Sequence, residues 1–251
     1  MKMNRPTKET AIILTKDELD AAVGGVKTQL REPVLGDGWN PNNYEASKLL
    51  LNANEKIGLQ AFFKDGDNWI GTKCPFGQVG DILWVQEKHR PVAWSFDDGD
   101  VSIEYEDGKK RRNEISSDEE VELNLNTDYM IAICDELIDR KVPMQEDNDE
   151  LFDLDNPENL PAWRSAKSMP RFASRLAFKI VSIKMEKLNP LGMTDADIKA
   201  EGADYFTNSP LVKDNRISFY QTLFSGHWNV KHPYFEWGAN PWVWILELEK
   251  V

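Results

Sequence analysis

Lys27 and Arg31 alternate with Gln29 in the stretch Gly25-Val26-Lys27-Thr28-Gln29-Leu30-Arg31, and on an extended chain the two cations share one face. So placed, they can hold phosphates or the edge of a base. Arg171 and Arg175 add two more cations in a second short segment, and Glu87 and Glu201 can accept from the amino group of a cytosine or adenine. Trp84, Trp163, Phe172 and Trp242 offer flat surfaces on which an unpaired base can stack. Each residue type also has an ordinary role. Long cations line solvated strand edges, lone carboxylates make structural salt bridges, and tryptophans fill cores, as the apolar neighbours of Trp84 and Trp244 favour.

Other chemistries find less support. Gly24-Gly25-Val26-Lys27-Thr28 lacks the phosphate-loop spacing, because Val26 rather than Gly precedes Lys27. His227, His232 and Glu236 have a spacing that fits no common helical zinc pair, so the histidines are expected on the surface or packed on aromatics, with no metal. Cys74 and Cys134 have no adjacent His to activate a thiolate. No cofactor is implied.

The elements that must position these residues can be read from patterning. Thr15 and Glu18 form a capping-box pair, Leu19, Ala22 and Val23 fall on one helical face, and Gly24-Gly25 ends the helix. A strand is then expected from Val26 to Arg31, with Val26, Thr28 and Leu30 inward and Lys27, Gln29 and Arg31 on the polar face. The turn Gly77 to Asp81 leads into a core strand from Ile82 to Glu87, and further strands are expected over Leu176–Leu188 and Trp242–Glu249. Thr194 caps a short helix, Asp195 to Glu201, closed by Gly202; Asn215 precedes a second, Ile217 to Phe224, closed by Gly226. Strands linked by short helices predict an α+β, mainly β chain built on a small, partly open β-barrel.

The chain has 251 residues and a net charge of −13, which would oppose nucleic acid if it were evenly spread. It is not. Between Asp97 and Asn159 there are 22 Asp/Glu against 6 Lys/Arg, so the remainder holds 24 Lys/Arg and 21 Asp/Glu and is mildly basic. The acidic stretch, at about 92–160 and including Asp118-Glu119-Glu120 and Glu146 to Glu150, reads as a partly flexible insertion: a solvated loop, a lid, or an acidic face for a basic partner. Within it, Asn124 to Lys141 can form a strand or short helix that docks on the core. Two cysteines without CxxC spacing, no apolar run of membrane-span length and no signal-peptide core together predict a cytoplasmic protein without membrane contact.

Five segments, in order, carry a resemblance: Gly25 to Arg31, Cys74 to Glu87, Met169-Pro170-Arg171-Phe172-Ala173-Ser174-Arg175, Ala200-Glu201-Gly202 and Asn240-Pro241-Trp242-Val243-Trp244. Together they resemble the ASCH-domain proteins of the PUA-like superfamily, most closely the longer bacteriophage and prophage members. The resemblance spans nearly the whole chain as a single domain, leaving the acidic insertion unmatched. It implies a PUA-like barrel with a cleft in which relatives bind RNA or a nucleobase, and, if the origin is viral, a host cytoplasm as the compartment.

Small ASCH enzymes similar to this chain hydrolyse N4-acetylcytidine with a Lys, a Thr three residues later and a distant Glu. Carried over, Lys27 matches the Lys and Glu201 the Glu, while the Thr falls on Leu30, whose side chain cannot act as a nucleophile. Thr28 carries a hydroxyl but sits on the opposite side of an ideal strand. Three readings follow. The first is a binding protein for nucleic acid or a modified nucleobase, using Lys27, Arg31, Trp84, Glu87, Arg171, Arg175 and Glu201. The second is an amidohydrolase or ribonuclease using Lys27, Thr28 and Glu201. The third is an interaction protein whose acidic insertion binds a host partner.

Overall fold

A computed structural model describes residues 7–38, 40–51, 59–95, 100–114, 120–144, 152–189, 192–206 and 218–251. The chain divides into two compact units, the first made of 1–84 with 176–251 and the second of 85–175. It is α+β and mostly strand.

In the first unit, β1 (Glu9–Ile13) leads into α1 (Lys16–Val23), followed by β2 (Gln29–Pro33), β3 (Glu45–Leu51), β4 (Leu59–Asp65), β5 (Asn68–Lys73) and β6 (Ile82–Gln86), whose last residues enter the second unit. The second unit holds β7 (His89–Ser95), β8 (Asp100–Tyr105), β9 (Lys110–Glu114) and α2 (Glu120–Asp139). The chain then returns to the first unit through β10 (Ala177–Lys187), α3 (Asp195–Ala200), α4 (Phe219–Lys231) and β11 (Trp242–Lys250).

Among the described residues the strands form three separate open sheets, ordered β1-β6-β10-β11-β2, β3-β4-β5 and β7-β8-β9. The expected barrel is therefore corrected: the five-stranded sheet ends on β1 and β2 rather than closing. Its spine is the long β10-β11 pair, where β11 is buried on both faces, Val243 and Ile245 on one and Trp244, Leu246 and Leu248 on the other. Leu188, Met193, Ile198, Phe206, Phe224, Trp228, Trp237 and Ile245 build one apolar core under α3 and α4.

The region between α1 and β2 departs from the expected pattern. Both predicted elements form, but α1 buries Glu18, Ala21 and Ala22 rather than a Leu19-Ala22-Val23 face. Gly24 and Gly25 close the helix in a Schellman geometry, with Gly25 at φ 76° and the amides of Gly25 and Val26 donating to Ala22 and Ala21. That turn delays the strand to Gln29, leaves Val26 and Thr28 exposed and sends Lys27 inward. The expected polar face is thus buried.

Near the second helix, Asn215 and Ile217 lie outside the described residues. Ser218 is the cap of α4, in a capping box with Gln221, and the helix runs past Gly226 to Lys231. A mid-helix glycine costs about 1 kcal/mol. The burial of Phe224 to Trp228 around it offsets that cost.

In the second unit, Val101, Ile103 and Tyr105 alternate inward on β8, and Met130, Ile133 and Leu137 form the buried face of α2. The acidic stretch thus contains a sheet and a 20-residue helix. Asp118-Glu119 and Glu146 to Glu150 lie outside the described residues. Among the described residues no helix is long and apolar enough to cross a membrane.

Candidate functional site

Lys27 is held where α1 ends and α3 ends. The α1 turn delivers it, and its Nζ donates to the Glu201 carbonyl at 3.0 Å, to Glu201 Oε2 at 3.3 Å and to Glu18 Oε1 at 3.3 Å. The carbonyl belongs to the last turn of α3, where a cation is doubly favoured, as donor to an orphan acceptor and against the helix dipole. The two helix ends approach closely because the residue after Glu201 is glycine. Gly202 has φ 97°, and a Cβ there would lie 2.5 Å from the Ala21 Cβ.

Arg31, on β2 opposite Ile245 of β11, donates through Nη1 to Glu201 Oε1 at 2.8 Å and to Gln29 Oε1 at 2.9 Å. Among the described residues its side-chain hydrogen bonds all leave from Nη1, and its buried Nε has no partner. Glu201 thereby carries two cations, with only 2% of its side chain exposed.

The cluster continues on the other side of Glu18. Lys231, the last residue of α4, bridges Glu18 at 2.8 Å and Glu32 at 2.6 Å. Three cations thus face three carboxylates, which is what makes such burial tolerable. Burial opposes ionisation of Glu18, but the charges of Lys27 and Lys231 outweigh it and hold the carboxyl well below its usual range. For Glu32 burial wins over Lys231, and the carboxyl is raised. Lys231 is pulled down by burial and, more strongly, up by Glu18 and Glu32.

His227 stacks on Phe206 with ring centroids 3.9 Å apart, and His232 lies against Trp228. Burial pushes them down to about 4 and about 3, so both are neutral at pH 7. Their packing is the aromatic one expected, and among the described residues no group of His, Cys, Asp and Glu is arranged to hold a metal.

A cavity of about 160 Å³ opens beside the cluster, on one face of the five-stranded sheet. Lys184, Ile245 and Arg31 stand in one row across β10, β11 and β2, with Glu247 and Gln29 in the next. Glu186, Asn189, Met193 and Asp197 complete its walls. Lys184 is paired with Glu247 at 2.9 Å, and Asp197 caps α3 through Thr194, a bond that helps hold its carboxyl low. The buried Arg31 is the one guanidinium of this wall.

The structure brings Lys27, Arg31 and Glu201 together across about 170 residues of sequence. Leu30 is 2% exposed and paired with Leu246, a core residue. Thr28 is exposed, and its backbone bonds Ala200 and Leu248. Phosphate binding by Lys27 is corrected, because its ammonium is fully enclosed by internal carboxylates.

The remaining candidates lie elsewhere. Glu87 and Arg175 form their own pair in the second unit, at 2.7 and 2.9 Å, with Arg175 also on Asp107 and 4.0 Å above the Tyr105 ring. Burial raises the Glu87 carboxyl against the pull of Arg175. Arg171 and Phe172 are half-buried in a short turn, and Trp163 lies under Arg90 and Lys88. Trp84 is half-buried on β6, and Trp242 packs on Phe63 under Lys187.

Sequence reading missed Glu18, Glu32 and Lys231 as members of the cluster. One signal was present: a capping Glu three and four residues before a pair of alanines marks a helix face that packs closely. No family model, curated protein or solved structure matches the chain.

Proposed function

We propose that the cavity beside Arg31 binds a nucleobase or modified nucleobase, and that this is a binding protein rather than a hydrolase. One observation carries the reading: Arg31 is buried, fixed by Glu201 and Gln29, and forms part of the wall of an open polar cavity. A preorganised guanidinium offers donors at fixed positions to ring or carbonyl acceptors. The cavity is below the size of ordinary drug-like sites and suits a single substituted ring. Glu186, Asp197 and Glu247 outnumber Arg31 and Lys184 in its lining, so a neutral polar ring fits better than a phosphate. The order of the five motifs, which resembles ASCH-domain proteins, supports the same reading.

Isothermal titration of cytidine, uridine, adenosine, guanosine and N4-acetylcytidine tests it. At least one is expected to bind, with a tenfold or greater loss on Gln29→Ala and on Glu186→Ala. Absence of binding by all five, or binding indifferent to both substitutions, contradicts it.

The hydrolase reading retains one observation, the contact of Lys27 with Glu201. Access opposes it, because the Lys27 side chain is 0% exposed and the position of the expected nucleophile is a buried leucine. No acetate release from N4-acetylcytidine is expected, from the native protein or from Leu30→Thr.

A further inference from the structure

The α2 helix presents a buried face and an exposed apolar one. Met130, Ile133 and Leu137 are buried, whereas Ile131 and Ile138 are 51% and 56% exposed. Asp128, Ile131, Asp135 and Ile138 follow one another at spacings of three, four and three, so they form a single line down the helix surface. All four are exposed, as is Asp139 next to Ile138. Apolar and acidic side chains thus alternate along one open face, each kind recurring at about 10 Å.

The carboxylates of this helix fall into two kinds. Glu136, on a different side of α2, accepts from Arg140, Arg164 and the Ala162 amide. Asp128, Asp135 and Asp139, by contrast, make no ion pair or side-chain hydrogen bond among the described residues. Arg140 and Lys141 follow the last turn, and Arg140 is held by Glu136 and by the Leu160 and Glu158 carbonyls. Single exposed isoleucines are ordinary on a protein surface. Two on one line, alternating with unpaired carboxylates, set the charge of whatever covers them.

A second copy of α2 fits this face poorly. Laid antiparallel with Ile131 on Ile138, it sets Asp135 against the Asp135 of the other copy beside the two-fold axis; laid parallel and in register, it sets every Asp against its own counterpart. The neighbouring segments of the chain, 115–119 and 145–151, fit no better, since they hold Asp118, Glu119, Glu146, Asp147, Asp149 and Glu150 and no Lys or Arg. We propose that this face of α2 docks a basic amphipathic helix of a partner protein. Apolar side chains of that helix pack on Ile131 and Ile138, while its Lys or Arg residues meet Asp128, Asp135 and Asp139. Helix recognition of this kind reads anchors at three- and four-residue spacing, and opposite charges beside an apolar seam set the choice of partner. The surface belongs to the second unit and does not depend on the Arg31 cavity.

Fluorescence anisotropy tests this with a labelled synthetic peptide of about five helical turns, in which Leu and Lys alternate at three- and four-residue spacing on an Ala and Gln background. The native protein is expected to bind it at low salt. A scrambled peptide of the same composition, with Leu and Lys on different faces, is expected to bind about tenfold or more weakly. Ile131→Ser/Ile138→Ser is expected to weaken binding by about tenfold or more and to leave its salt dependence intact. Asp128→Asn/Asp135→Asn is expected to weaken binding and to flatten the salt dependence. Circular dichroism confirms that these surface variants fold. Absence of binding, equal binding of the scrambled peptide, or affinity unchanged in either variant overturns the proposal. So does sedimentation of the native protein as a dimer that Ile131→Ser/Ile138→Ser dissociates, which would identify a second copy as the occupant.

Discussion

Glu201 in the first unit is shared between Arg31 and Lys27, whereas Glu87 in the second takes two bonds from Arg175, which then reaches out to Asp107. Both places pair a Glu with an Arg, and all but Asp107 stood out in the sequence for the same reason. Surroundings separate them. Lys27, Glu18 and Glu201 are sealed among helix ends, and Arg31, which Glu201 holds, lines a cavity. Arg175 is 11% exposed and lies over the ring of Tyr105, whose hydroxyl donates to the Ala173 carbonyl and ties β8 to the turn before β10. On the proposed reading the first cluster fixes a donor for a ligand, whereas the second fastens a sheet.

Substitutions that unpair one partner sharpen this contrast. Lys27→Met strands Glu18 and Glu201 without a cation between them and is expected to cost about 3–5 kcal/mol, read from urea denaturation. Gly202→Ala attacks the same junction through its backbone, since φ 97° and the Ala21 contact both exclude a side chain. It is expected to rank next. Arg175→Met leaves Glu87 unpaired but nearer solvent and is expected to cost about 2 kcal/mol. If Arg175→Met proves the more damaging, the contrast between sealed and fastening clusters fails.

Acid tests the burial of the histidines. His227 and His232 titrate lower in the folded protein than unfolded, so between pH 6.5 and about 4 the unfolded chain binds more protons and stability falls as pH drops. Glu18, also depressed, adds to the loss at lower pH, once pH falls below its ordinary carboxylate value. Glu32 and Glu87 are raised, so their contributions run the other way and weaken as pH rises above the ordinary carboxylate value. Melts at pH 7.5, 6 and 5 are expected to show a positive slope that His227→Phe reduces by up to one proton. An unchanged slope would mean that His227 is not buried neutral. The smallest effect belongs to Lys184→Ala, an exposed pair with Glu247, which is expected to leave the melting temperature unmoved.

How much of this was legible follows from what sequence patterns record. The capping boxes at Thr15 and Thr194, the turn before β6 and the β10 and β11 strands are local, and the sequence states them locally. The Gly24-Gly25 stop was equally readable, but its geometry, which displaces β2 by three residues and turns Lys27 inward, was not. Alternation assigned Lys27 to the solvent because it counts the preference of one residue at a time. Burial of Lys27 depends on Glu18 and on Glu201, 174 positions away, and only the fold supplies them. Lys231 and Glu32 escaped for the same reason. Closure of the sheet failed to follow from strand content because a barrel and an open sheet ask the same alternation of their strands.

The central claim, that Arg31 presents a preorganised donor to a nucleobase, is tested most directly by methyl NMR. Leu188, Met193 and Ile245 line the cavity and report on anything that enters it. Titration of the nucleosides into methyl-labelled protein is expected to shift these three signals together and saturably, leaving Ile103 and Ile133 of the second unit unmoved. Saturable binding that leaves all three cavity methyls in place, or no shift at millimolar nucleoside, would contradict the account.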